Sequence, residues 1–224
     1  MRIDFVSLFP GMFASVMDAS MMARAQEKGL LDWGCVNPRD FANNKHRKVD
    51  DRPFGGGPGM LMMAEPLEKA IKSVKKKNSK TVLLSPQGKQ FDAKMASRLS
   101  KEEHLILVCG HYEGVDERTA TLFDEEISVG DFILTGGELP AMLVADAVAR
   151  LVPGVLKKED AAACESFAAG LLDFPQYTRP RVWRGREVPE VLFSGDHAKI
   201  AVWRRAAARA ATKRKRPDLI ERAR

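Results

Sequence analysis

The chain has 224 residues, 45% of them hydrophobic, which suits one large domain or a domain with a small appendage and excludes a disordered protein. Its longest apolar runs, Leu105 to Cys109 and Ala141 to Val148 with Asp146 inside, fall far short of the roughly 20 residues that cross a bilayer, so no membrane partner is expected. The formal net charge is +6, yet residues 179–224 hold 14 Lys and Arg against 5 Asp and Glu, leaving 22 against 25 in residues 1–178.

Met1 to Pro10 lacks the basic start, long apolar stretch and small-residue cleavage site of a secretory signal. It reads as a first buried strand, Ile3 to Phe9, of a cytoplasmic protein. Strand-like runs then alternate with helical patterns. A helix is predicted over Met12 to Lys28, a strand over Thr81 to Leu84 and a helix over Asp92 to Leu99. A strand over Leu105 to Cys109 leads to a helix over Val115 to Leu122. Strands at Glu126 to Ser128 and Phe132 to Leu134 precede a helix over Glu138 to Leu151. Lys69, Lys72, Lys76 and Lys80 read as one wet helix face and its end. This β-then-α rhythm predicts an α/β fold with a parallel sheet over residues 1–156. The character shifts at Pro153-Gly154, and residues 157–173 read as a linker. Residues 174–224 form a small basic helical domain, turn-rich at first, then helical from His197 to Ala211, broken before Pro217 and ending in a short helix.

Three glycine-bearing loops follow strand candidates, where open α/β sheets place ligands. They are Ser85-Pro86-Gln87-Gly88, Gly110 to Asp116, and Ser128 to Glu138. Each alone is explained by turn chemistry; three after consecutive strands point to a shared pocket whose exposed backbone groups can read an adenine edge. A fourth segment, Asp50 to Met60, has four glycines in the five positions 55–59. It is no Walker loop, and no G-x-G-x-x-G follows a strand, so ATP and NAD chemistry lose ground. Pro53 and Pro58 stiffen it and Arg47, Lys48 and Arg52 flank it, which favours a lid or substrate contact over a slack linker. Cys35, Cys109 and Cys164 are too few and scattered for a disulfide framework or zinc, and no metal site is expected. The basic stripe beyond residue 178, with Trp183 and Trp203 interleaved, suits nucleic-acid phosphates and stacking; the competing reading is a solvated helix face.

Several strings then carry a resemblance: Ser7-Leu8-Phe9-Pro10, Pro38-Arg39-Asp40, Val49 to Met60, Leu84 to Gly88, Gly110-His111-Tyr112-Glu113-Gly114, Thr135 to Pro140, Gly170 to Asp173, Tyr177 to Pro180 and Val188-Pro189. In order and over nearly the whole chain, they resemble the bacterial tRNA (guanine-N1)-methyltransferase family. That resemblance implies a trefoil-knotted α/β fold of the SPOUT superfamily followed by a helical C-terminal domain, although topology rules alone argue against a knot. It also implies a homodimer with the active site at the subunit interface, S-adenosylmethionine as methyl donor, and guanosine 37 of tRNA as acceptor. A magnesium requirement is left open. Donor-binding residues carry over to Gly110, Val129, Gly130, Asp131, Phe132, Ile133 and Leu134, with Pro86, Tyr112, Gly136, Gly137 and Pro140 completing the walls.

Guanine N1 carries a proton at neutral pH, so its methylation calls for a base and for a cation or donor near O6. The family's aspartate base aligns with Glu165 in Cys164-Glu165-Ser166-Phe167, a departure that keeps the carboxylate and adds a methylene. Asp160 and Asp173 are the backups. The partner arginine falls on Arg150, otherwise read as a cation at a helix C-terminus. His46 and His111 rank lower as bases, Cys109 reads as core, and Cys164 lacks the nearby histidine a thiol nucleophile needs. The chain stops at Arg224, whereas many relatives carry a longer helical tail, an expected influence on tRNA affinity. The rival hypotheses are a related enzyme with another RNA target and a non-catalytic RNA-binding module.

Overall fold

The computed structural model describes residues 1–156, 165–168 and 170–221. It divides into two compact units, Met1–Lys157 and Lys158–Arg224. The first carries a five-stranded, all-parallel sheet built from β1 (Arg2–Val6), β2 (Asp32–Val36), β5 (Ser79–Gln90), β6 (His104–Cys109) and β7 (Glu125–Ser128), in spatial order β2-β1-β6-β5-β7. β6 is the hub. Its six residues are all buried, as expected of a central parallel strand covered on both faces.

Alternation along β6 divides the core. Leu105, Leu107 and Cys109 face a layer formed by α1 (Ala14–Met17), α2 (Ser20–Glu27), α4 (Ala93–Leu99) and α5 (Glu138–Ala149). Ile106 and Val108 face Leu67, Ala70 and Ile71 of α3 (Ala64–Val74) together with Val49 and Met62. Val49 precedes and Met62 ends a short ribbon, β3 (Asp50–Asp51) paired antiparallel with β4 (Leu61–Met62), whose tip is the four-glycine loop. In the first layer the rings of Phe5 and Phe13 stack at 4.2 Å.

The second unit has a two-stranded ribbon, β8 (Val182–Trp183) and β9 (Arg186–Glu187), then α6 (His197–Lys215) and α7 (Pro217–Glu221). Asp196 caps α6 by accepting from the N–H groups of Ala198 and Lys199. The helix runs four residues past the expected end at Ala211. Within that extension the buried Thr212 Oγ1 donates to Ala208 O and accepts from Leu172 N, tying the preceding segment to the helix. Pro217 then stops it, as expected.

Other expectations need correction. The predicted Met12–Lys28 helix is split: Asp18 ends α1, Ala19 is extended and Ser20 has φ 50°. Asp18 Oδ1 accepts from Trp33 Nε1 at 2.9 Å, which holds the break against β2. Val115–Leu122 forms no α-helix but a 3-10 stretch over Glu117–Leu122, because Asp116 turns its carboxylate onto Arg118 N and Thr119 Oγ1 bonds to Asp116 O. Phe132–Leu134 is loop rather than strand; Gly130 and the Gly136-Gly137 pair bracket it, and among the described residues β7 has its only sheet neighbour in β5. The lysine face is half right. Lys69 and Lys72 pair with Glu65 and Glu68 one turn earlier on α3, but Lys80 lies in β5 with its Nζ 3.0 Å from Glu125. Among the described residues no helix is long and apolar enough to cross a membrane.

The Asp116 turn makes a pH prediction. Side-chain bonds from Arg118, then its backbone N–H, hold the Asp116 carboxyl at about 2 instead of 3.8. A carboxyl depressed in the folded state contributes stability above its unfolded value and loses it as pH falls through that value to the folded one. The stability difference between the parent protein and Asp116→Asn should therefore shrink between pH 4 and 2, measured by urea denaturation at stepped pH. A pH-independent difference would rule out this charge as its source.

Candidate active site

The carboxyl ends of β6, β5 and β7, three neighbours in the sheet, open into a cavity of about 670 Å³. That is the size of a typical small-molecule site. The three loops singled out in the sequence form its walls. The first arises from a slip in register: Ile127 pairs with both Leu84 and Lys89, so Ser85 to Gly88 bulge out of β5. Gly88 permits the bulge, since a Cβ there would sit 2.4 Å from Ile127 N. The second loop leaves β6 at Gly110 and turns through Tyr112, whose φ of 60° places it in the left-handed region. The third runs from Val129 to α5, and Ser128 Oγ folds its start by accepting from Gly130 N and donating to Gly130 O.

Loops two and three are joined. Gly137 N donates to Gly110 O at 2.7 Å, and His111 and Gly136 form an antiparallel bridge. A Cβ on Gly137 would lie 2.7 Å from Cys109 Cα and 2.9 Å from Gly110 N, so only glycine fits between the end of β6 and the start of α5. Glu138, the first residue of that helix, is buried where a negative charge faces the helix dipole. Its Oε1 accepts from Ser7 Oγ at 2.7 Å, and its Oε2 lies 3.8 Å from His111 Nδ1. Phe9 and Tyr112 each pack a ring 4.9 Å from that of His111. The Ser7–Glu138 bond links β1's exit to α5 across 131 residues. Sequence reasoning missed it; the only signal was an acidic residue at a helix start directly after two glycines.

Eleven of the twelve expected donor-site residues line this one cavity: Pro86, Gly110, Tyr112, Val129, Gly130, Phe132, Ile133, Leu134, Gly136, Gly137 and Pro140. Asp131 is not among the lining residues. Phe132 and Ile133 are 55% and 79% exposed, so their apolar side chains are rim rather than core. The lining also includes Glu113, Glu117, Asp124, Glu125 and Glu126, and among the described residues it contains no lysine or arginine. Glu125 is compensated by Lys80 and Arg98. Such a lining repels phosphates and accepts a neutral or cationic ligand held by backbone groups and apolar walls.

The four-glycine loop stands on the same structure. Glu113 N donates to Met60 O, Met62 N to Gly114 O and Asp116 N to Met62 O, so the β4 foot of the loop is laced to the Gly110–Asp116 segment. Gly55, Gly56, Gly57 and Gly59 all have positive φ, and Phe54 at the tip is 99% exposed.

Of the expected catalytic pair, Arg150 belongs to the first unit and Glu165 to the second. Arg150 caps α5, its N–H bonded to Asp146 O, and is half-buried outside the lining. Glu165 belongs to the second unit, where its carbonyl accepts from Ala168 N. Asp173 spends its carboxylate locally on Phe174 N and Gln176 Nε2, which disfavours it as a base. Asp160 and Cys164 lie outside the described residues. His46 is exposed in a loop. Cys109 is buried in β6 and burial pushes its thiol well up, while burial raises Cys35 to about 12, so neither is a thiolate nucleophile. Among the described residues no group of three metal-ligating side chains gathers.

Gly137→Ala should force apart the end of β6 and the start of α5. The expected cost is about 1–3 kcal/mol, the range for overpacking, read as a lowered urea midpoint. Ligand binding in the cavity should fall with it. A Gly137→Ala protein of parental stability would show that the contact is slack.

Comparison with known proteins gives a consistent result over the full length. The profile of tRNA (Guanine-1)-methyltransferase TrmD matches residues 1–222. The chain is 53% identical over 221 residues to the tRNA (guanine-N(1)-)-methyltransferase of Dictyoglomus turgidum, covering 99% of this chain and 90% of that one. It is 55% identical over 227 residues to the enzyme of that name from Moorella thermoacetica, covering 99% and 91%, and 49% identical over 222 residues to that of Mycoplasmopsis synoviae, covering 99% and 98%. With a matching profile over nearly every residue and these glycine-built loops in place, the chain belongs to the tRNA (guanine-1)-methyltransferase TrmD family.

Proposed function

We propose that the protein is a tRNA guanine-N1 methyltransferase that uses S-adenosylmethionine and modifies guanosine 37 beside the anticodon. The observation that carries the donor assignment is the cavity lining, rich in backbone groups and carboxylates and, among the described residues, lacking lysine and arginine. When bound, S-adenosylmethionine supplies a methyl group activated by a positive sulfonium. A cation of that kind fits such a lining, whereas a polyphosphate cofactor would meet five acidic side chains there. Pro86, Gly110, Tyr112, Val129, Gly130 and Leu134 would hold the heterocycle and its sugar, with Gly136, Gly137 and Pro140 closing the wall. Asp131, outside the lining, is left with a supporting role at the loop.

At the acceptor, Glu165 takes the proton from guanine N1, and the Arg150 guanidinium steadies the charge that grows on O6. Neither role needs a covalent enzyme intermediate, in keeping with two cysteines whose thiols are raised by burial. Magnesium has no dedicated ligand group among the described residues and enters no step here. We also assign residues 1–156 to the methyltransferase domain and 174–224 to tRNA binding, joined by residues 157–173. The working form is a homodimer with its active sites at the subunit interface. Leu139 and Leu143, one turn apart on α5 and 54% and 50% exposed, support an apolar face that a second copy would cover.

The test is methyl transfer from radiolabelled S-adenosylmethionine to an unmodified tRNA transcript with G at 37, beside a G37→A transcript. Label in the first alone is expected. No label in either, or equal label in both, would overturn the reading. Glu165→Gln should lower turnover by about 10²- to 10⁴-fold, the usual contribution of a positioned base, while tRNA affinity stays at the parental level.

A further inference from the structure

We infer that the β8–β9 hairpin is a stacking arm for an unpaired nucleotide of the RNA substrate, an inference that rests on the tRNA reading above. The hairpin is tight: Val182 pairs with Glu187 and Trp183 with Arg186, and Val188 N donates to Arg181 O at 3.0 Å. The two residues between the strands, Arg184 and Gly185, have φ of 50° and 73°. Positive φ at both centres is the signature of a type I′ turn, whose favoured first residue is asparagine, aspartate or glycine. An arginine there departs from turn chemistry, and a locally disfavoured residue in a well-defined turn points to a use for its side chain.

The side chains show what that use is. The Arg184 guanidinium lies over the Trp183 ring, 4.9 Å from its centroid, while Trp183 stays 55% exposed. Residues two apart on a strand and directly paired residues share a face, so Arg181, Trp183 and Arg186 project on the same side of the ribbon. At its foot Arg181 sits 4.7 Å over the ring of Phe193, which is 52% exposed. The hairpin and its foot therefore present two aromatic surfaces, each with a guanidinium, and carry three arginines between residues 181 and 186: Arg181, Arg184 and Arg186.

An exposed tryptophan is a poor solvent-facing residue but a good platform for a base, and arginines beside it suit the flanking phosphates. Stacking requires a base that is not already stacked in a duplex, so the fitting partner is an unpaired nucleotide. The residues 179–221 around the hairpin are strongly basic, which complements RNA rather than a cationic or apolar protein partner.

Arg184→Asn provides a clean test because it installs the preferred type I′ residue while removing the charge. Its thermal midpoint should match or exceed the parent's. Its binding to an unmodified tRNA transcript should weaken several-fold, with the slope of log K against log salt falling by about 0.7, the value for one lost single-strand phosphate contact. Trp183→Val keeps a strand-forming residue and should weaken binding about ten-fold. Part of the parental tryptophan quenching on tRNA addition should disappear in Trp183→Val, and a fully paired RNA duplex of similar length should not produce that part in the parent. Parental affinity in both variants, or the same quenching with the duplex, would overturn the inference. Methylation by the parent protein is scored separately: its absence sinks the tRNA reading, whereas its presence with unaffected variants sinks the hairpin alone.

Discussion

The close approach of Gly137 to the backbone of Cys109 and Gly110 is the constraint on which the upper end of the sheet depends. β6 is the sheet's buried centre, so whatever touches its last residue is fixed relative to β1, β5 and the helices on both faces. Through the Gly137–Gly110 bond that rigidity passes to α5, and through Glu138 to Ser7 at the end of β1. The cavity walls thus stand on backbone contacts and a buried charge-assisted hydrogen bond, which resist deformation better than surface side-chain pairs. A site built this way keeps its shape before a ligand arrives.

The same economy explains how the glycine-rich loop near Phe54 differs from the three cavity loops. Gly88 and Gly137 are required because backbone lies within 3 Å of where a Cβ would be. Gly55, Gly56 and Gly57 have open space around them, and their requirement is conformational, since each has positive φ. The first kind of glycine fixes a wall. The second shapes a protruding tip that is anchored at its β4 foot and carries an exposed phenylalanine, which suits a contact made with something outside the domain.

Much of this was legible in the residues. The buried runs at Leu105–Cys109 and Thr81–Leu84 are apolar and short, and the loops after them announce themselves by glycine and proline. Some positions were misread because a tertiary contact overrides a local pattern, and others because a side chain redirects its own backbone, as Asp116 does by accepting from Arg118 N. Phe132-Ile133-Leu134 looks like a strand because it is apolar, but it has no strand beside it and its side chains sit on the cavity rim. β2 was missed because Gly34 and Asp32 dilute its pattern, and it exists through its pairing with β1. The Ser7–Glu138 bond joins residues too far apart in the chain for any local rule to detect. The β8–β9 turn was hidden by Arg184, which stands where asparagine would have signalled a hairpin.

The two units differ in the side-chain charge they display. In the first, the cavity is walled largely by glycine-rich main chain, and the charged side chains that line it are acidic, with Glu125 compensated by Lys80 and Arg98. In the second, arginines lie over the rings of Phe193, Trp183, Phe174 and Phe167. Long guanidinium side chains held over rings lose less freedom on meeting a phosphate than they would from free solution, so the aromatic partners preorganise the charge. A small donor needs a cavity of fixed shape, while a large polyanion needs an extended charged surface. On the proposed reading, an acidic lining in one unit and ring-held arginines in the other would let a single chain serve both without the polyanion's phosphates competing for the donor cavity.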